Sequence, residues 1–104
     1  MHAEPTRPLS IAAAVLTPST LTSVCRSPSF HRRGWQILDR WAFESPAQLR
    51  AIEAEGEVIL LGLVLKQQQL EHQALRSAAA LELRRRGVAE HEILALHEIR
   101  TTLA

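Results

Sequence analysis

Eight consecutive apolar residues, Val58 to Leu65 (VILLGLVL), constrain this chain more than any other feature. A run of that kind must be covered on several sides, either as a buried strand or as a helix with little solvent-facing surface. It is richer in leucine than in β-branched residues. It passes without a turn signal into KQQQLEHQALRSAAALELRRR, which is strongly helix-forming. The run therefore predicts a helix that continues to Arg86, with Gly56 as the position where it starts or joins what precedes it. A glycine inside a helix costs about 1 kcal/mol relative to alanine, so Gly62 is expected where another helix approaches closely. Leu63, Leu70, Ala74 and Leu81 then approximate a heptad seam. Lys66, Gln67 and Ser77 interrupt it, so the pattern is too irregular for a long coiled coil.

The end of this helix is written clearly. Arg84, Arg85 and Arg86 place positive charge on the negative end of the helix dipole, and Gly87 suits the left-handed residue that stops a helix. Val88 is placed to touch Leu83, as that stop requires. Glu90 and Glu92 open a further helix, with Val88 stapled onto Ile93 and with Ile93, Leu96, Ile99 and Leu103 on one face. Residues 57–103 thus read as a long helix, a tight turn and a short helix. Upstream, Trp35 to Phe43 reads as a short helix with Trp35, Leu38 and Ala42 on one face and Ile37 and Trp41 beside them. Ser45-Pro46, with Gln48 three residues after Ser45, has the form of a capping box opening the next helix, whose buried stripe is Leu49 and Ile52. The expected fold is all-α: a small helical protein with a long central helix, a C-terminal helical hairpin and a flexible N-terminal leader.

The leader is inferred from composition. Residues 1–33 contain four of the five prolines, abundant Ser and Thr, and four arginines against Glu4 alone. Residues 34–104 contain eight basic and ten acidic residues, so a net charge of +1 over 104 residues hides a polarised chain. The shift predicts a flexible or loosely docked basic leader over 1–33 and a helical domain over 34–104. Arg and Ser content, scarce acid and a short apolar patch from Leu9 to Leu16 match a targeting segment in composition, but the favoured reading is a disordered tail or a start codon set too early. Lys66 is the only lysine, and the preference for Arg, Ala and Leu points to a GC-rich bacterial genome and a cytoplasmic protein.

The residue types that carry chemistry are sparse. The single cysteine, Cys25, excludes an internal disulfide framework and a cysteine-built zinc site. His91-Glu92 opens like a zinc-protease motif, but position 95 is Ala and His97 lies six residues on, so the two rings diverge around a helix. The four glycines are scattered, which excludes a phosphate-cradling loop, and there is no nucleophile elbow. No apolar run reaches the roughly 18 residues that cross a membrane. No catalytic, cofactor-binding or metal-binding residue is expected, and no cofactor.

All four aromatics fall between Phe30 and Phe43. They form either a local core or a partner-binding anchor, a role in which Trp is favoured. Few helices remain to cover residues 58–65, and a core of fewer than about 80 ordered residues rarely suffices alone. A second copy or a larger partner is the economical cover. The expected function is a non-enzymatic protein–protein interaction module, a homodimer or a subunit or adaptor of a larger assembly. Its interface would be Trp35, Trp41, Val58, Ile59, Leu61, Gly62, Leu63 and Leu65. The alternative is a small DNA-binding transcriptional regulator that sets Arg32, Arg33, Arg84, Arg85 and Arg86 on phosphates, although Glu90, Glu92 and Glu98 would repel a polyanion there.

Overall fold

The computed structural model describes residues 8–103, which form six α-helices and no strand. After a 3-10 turn at Ala12–Ala14 come α1 (Pro18–Arg26), α2 (Arg32–Glu44), α3 (Pro46–Glu55), α4 (Glu57–Arg76), α5 (Ala78–Arg85) and α6 (Glu90–Leu96). The chain is all-α, and α4 is its longest element and the one against which α2, α3, α5 and α6 all pack.

The larger core lies between α2, α3 and the first half of α4. Ile37, Leu38, Trp41 and Ala42 of α2 meet Leu49 of α3 and Leu60 and Val64 of α4. Buried positions on α2 recur at helical spacing, which is why this segment folds as one amphipathic helix rather than as the shorter piece from Trp35. Gly34 begins that buried face: a Cβ there would stand 2.3 Å from Gln68 Oε1. Ser45 serves α2 and α3 together. Its N–H donates to Trp41 O and its carbonyl accepts from Leu49 N, while its side chain makes no cap bond. The expected capping box is therefore absent, because the backbone is shared between two helices and the hydroxyl is not recruited. Gly56 ends α3 with φ of 146°, a conformation that suits glycine, and α4 starts afresh.

The central helix is shorter than expected. It stops at Arg76, and Ser77 begins α5 instead of continuing to Arg86. The Ser77 hydroxyl accepts from Ala80 N at 3.1 Å and donates to Ala74 O at 2.9 Å, so a local side-chain bond outcompetes the continuous helical ladder. The turn after α5 pairs Val88 N with Leu83 O (3.0 Å) and Gly87 N with Arg84 O (2.9 Å), with Gly87 at φ 87°. Helix α6 ends at Leu96, where Glu98 takes φ 58° and Ile99 N donates to Leu94 O. Leu96, expected on the inner face, is consequently exposed, and Ile93 and Leu94 join Leu75 and Ala80 in a second, smaller core.

The boundary expected at Gly34 is not an edge of the fold. Among the described residues, Leu9, Ala12, Leu16, Val24 and Phe30 supply five of the twelve buried residues of the larger core. Side chains of the helical part tie this segment down. Asp39 accepts from Leu9 N and Ala12 N, both at 2.9 Å, and Glu53 accepts from Thr17 N and Thr17 Oγ1. Ser23 donates to Glu57, and Gln68 donates to Ser29 O. Part of the Ser, Thr and Pro content that suggested a loose leader is helix-cap chemistry: Thr17 caps α1 and Pro18 occupies its first turn. Residues 1–7 of the expected leader lie outside the described residues.

Candidate functional site

Helix α4 divides the apolar run between two environments. Leu60 and Val64 are fully buried, and Leu61 and Leu65 are half-buried against the same core. Val58, Ile59, Leu63 and Leu70 are between 39% and 82% exposed. Ile59, Leu63, Lys66 and Leu70 follow one another at spacings of four, three and four, so they form a single ridge along a helix of about 3.6 residues per turn. Gly62 lies beside this ridge and is exposed, and a Cβ placed on it would meet nothing within 4 Å. The protein's own packing gives this mid-helix glycine no reason to be glycine. On one flank, Leu63, Lys66 and Leu70 border a cleft of about 260 Å³ whose other walls include Trp41 and Leu103.

Of the expected interface residues, Val58, Ile59, Gly62 and Leu63 thus share an open face. Trp41 does not belong to that surface. It is 3% exposed, and its indole N–H donates to Thr101 O at 3.1 Å, which pins the C-terminal segment across α2. Trp35 is half-buried against the larger core, and its indole nitrogen is enclosed. Leu61 and Leu65 point toward the core side. The aromatic cluster is mainly internal, with Phe43 as its exposed member.

A second feature lies where α2, α4, α5 and α6 converge. The Glu71 carboxylate is fully buried and accepts from Arg40 at 2.6 Å and from Gln67 at 2.8 Å, with Arg33 at 3.5 Å. Arg33 also reaches both oxygens of Glu90 at 3.3 Å, and Arg84 approaches Glu90 at 3.4 Å. Arg85 and Arg86 face Glu82 within their own helix turn. Four of the five arginines considered for nucleic acid are therefore already set against carboxylates, and Arg32 alone of the five is exposed without an ion pair among the described residues. Two adjoining clefts, of about 340 and 290 Å³, open over this network and share Arg33, Gln36 and Glu90. His31 and His72 meet edge to face at the mouth of the first, with ring centroids 6.0 Å apart. Each ring accepts an N–H, His31 Nδ1 from Arg33 N and His72 Nε2 from the Arg76 guanidinium.

Sequence reasoning missed Glu71, Arg40 and Gln68 because each looks like a solvated position in a polar stretch. The available signal was spacing: Leu60, Val64, Gln68, Glu71 and Leu75 recur at intervals of four, four, three and four, so the polar pair continues the buried face. His91 lines the second cleft, while His97 is held by Ile93 O and Ser77 on another side of α6. Among the described residues no group of three His, Cys, Asp or Glu side chains is placed to hold a metal ion, Cys25 is exposed, and no helix is long and apolar enough to cross a membrane. Comparison of the chain with models of known protein families, with curated proteins and with solved structures finds no match.

Proposed function

We propose that this chain is a non-enzymatic self-association module whose open α4 face is covered by a second copy of itself. The observation that supports this reading is the ridge Ile59, Leu63, Lys66 and Leu70 with Gly62 alongside. Its spacings of four, three and four read the same in either direction. Two α4 helices packed antiparallel about a two-fold axis that passes between Leu63 and Lys66 bring Ile59 opposite Leu70 and Leu63 opposite Lys66, a self-complementary pairing of the kind an isologous interface uses. Lys66 lays its aliphatic stem along Leu63 and keeps its ammonium at the rim. Gly62 lets the two backbones come close, which offsets its cost of about 1 kcal/mol within the helix.

The DNA-binding alternative draws less support, since Arg33, Arg84, Arg85 and Arg86 are engaged with Glu71, Glu90 and Glu82. The two-fold register is tested by disulfide trapping in a Cys25→Ser background. Mixing Ile59→Cys chains with Leu70→Cys chains is expected to give a mixed disulfide readily, and neither chain alone is expected to cross-link. Equal cross-linking of each chain with itself, or none in the mixture, contradicts the register.

A further inference from the structure

We infer that the groove over Glu71 is a binding site for a small phosphate-type oxyanion, inorganic phosphate or a phosphomonoester. The inference is independent of the α4 interface. The groove is the two adjoining clefts taken together: Arg32 and Arg33 line the first against Glu90, and Arg33 and Arg40 line the second against Glu71 and Glu90. Glu71 is consumed below the floor: fully buried, it holds Arg40 at 2.6 Å and takes Gln67 as well. A buried ion pair is weak as a stabiliser, because desolvation offsets most of its Coulombic gain. It does fix an arginine in one geometry at the groove wall, as a preformed binding site requires.

Arg33 has capacity to spare. Its contacts to Glu71 and Glu90 are all 3.3 Å or longer, and Arg84 stands 3.4 Å from Glu90. Tight charge-assisted bonds are about 2.7–2.9 Å. Glu90 thus sits where an external oxyanion would, as an internal carboxylate loosely shared by two arginines. A phosphate dianion brings more charge and more acceptor oxygens than this carboxylate. It engages Arg33 and Arg32 while Glu90 turns to Arg84, with which it already has contact. The Gln36 side chain borders the same space, and Leu94 gives the second cleft an apolar wall for the organic part of a monoester. The volumes suit a small ligand, and Glu90, Glu92 and Glu98 on the α6 side disfavour a polyanion.

The test is a titration of the full chain with inorganic phosphate and, separately, phenyl phosphate, followed by the backbone and arginine side-chain N–H resonances. Wild type is expected to show saturable shifts at residues 31–36 and 90–94 below about 10 mM ligand. Arg32→Gln, at an exposed position outside the ion pairs, is expected to weaken binding about tenfold, the worth of one charge-assisted bond. Glu90→Gln is expected to strengthen it, because the competing carboxylate is gone, and Arg26→Gln, at the end of α1 and lining neither cleft, to leave it unchanged. Tighter binding of phenyl phosphate identifies the monoester as the better ligand, and equal binding identifies phosphate itself. The inference is overturned by an absence of saturable shifts, by weakening in Glu90→Gln, by equal losses in Arg32→Gln and Arg26→Gln, or by binding of an oligonucleotide with no response to either phosphate.

Discussion

At the scale of single residues, the most consequential position is Glu71, a fully buried carboxylate in a core that is otherwise mostly apolar. Removing one partner of a buried pair strands a charge in a poorly solvating interior, at a cost of about 3–5 kcal/mol. Arg40→Met is expected to lower unfolding free energy by about 3 kcal/mol, since Arg33 and Gln67 still face the carboxylate. The double variant Arg40→Met with Glu71→Leu is expected to recover most of that loss, as chemical denaturation would measure. Strictly additive losses in the two single variants would show that the pair is not coupled. This part of the molecule was legible only in part. Buried apolar positions follow the helical period plainly, but Gln68 and Glu71 share that period under polar names. Nothing local in the sequence announces that Arg40, 31 residues before Glu71, comes to meet it.

At the scale of elements, start and stop chemistry decides the outcome. Ser45-Pro46 and Thr17-Pro18 are the same dipeptide grammar, and both open helices. The first was readable because apolar periodicity follows it. The second was obscured by the polar, proline-rich composition around it, although Leu16, Thr20 and Val24 continue a buried face. The run into α5 was misread because alanine and leucine propensity argues for one helix, whereas a single Ser hydroxyl satisfying Ala80 N and Ala74 O divides it. The docking of α1 has a titratable latch. Burial opposes ionisation of Glu53, but hydrogen bonds from Thr20 and Thr17 and the charge of Arg50 outweigh it and hold the carboxyl below its ordinary value of 4.5. The unfolded chain therefore takes up the proton more readily than the folded one. The resulting stabilisation is complete above the unfolded value and is lost as pH falls through the lower folded value. Glu53→Gln is expected to flatten the acid limb of a stability–pH curve. An unchanged acid limb would remove Glu53 from the account of α1 docking.

At the scale of the whole molecule, two small cores share one helix. The α2–α3–α4 core takes one side of the apolar run and the α5–α6 pair takes the distal half of α4, which leaves Val58, Ile59, Gly62, Leu63 and Leu70 facing outward. Hydrophobic association is the one force at this face with no opposing charge but Lys66, and its strength scales with the apolar area removed from water. The presence of the run, its helical form and the openness of Gly62 all point the same way, although the run alone did not say which of its residues the fold would keep for itself. The most direct measurement is the solution mass of the full chain by sedimentation equilibrium at micromolar concentration, for wild type and for Leu63→Glu. The account predicts twice the 11.6 kDa chain mass for wild type and the chain mass for a folded Leu63→Glu protein. A wild-type protein at the chain mass, or a Leu63→Glu protein that remains at twice that mass, would contradict it.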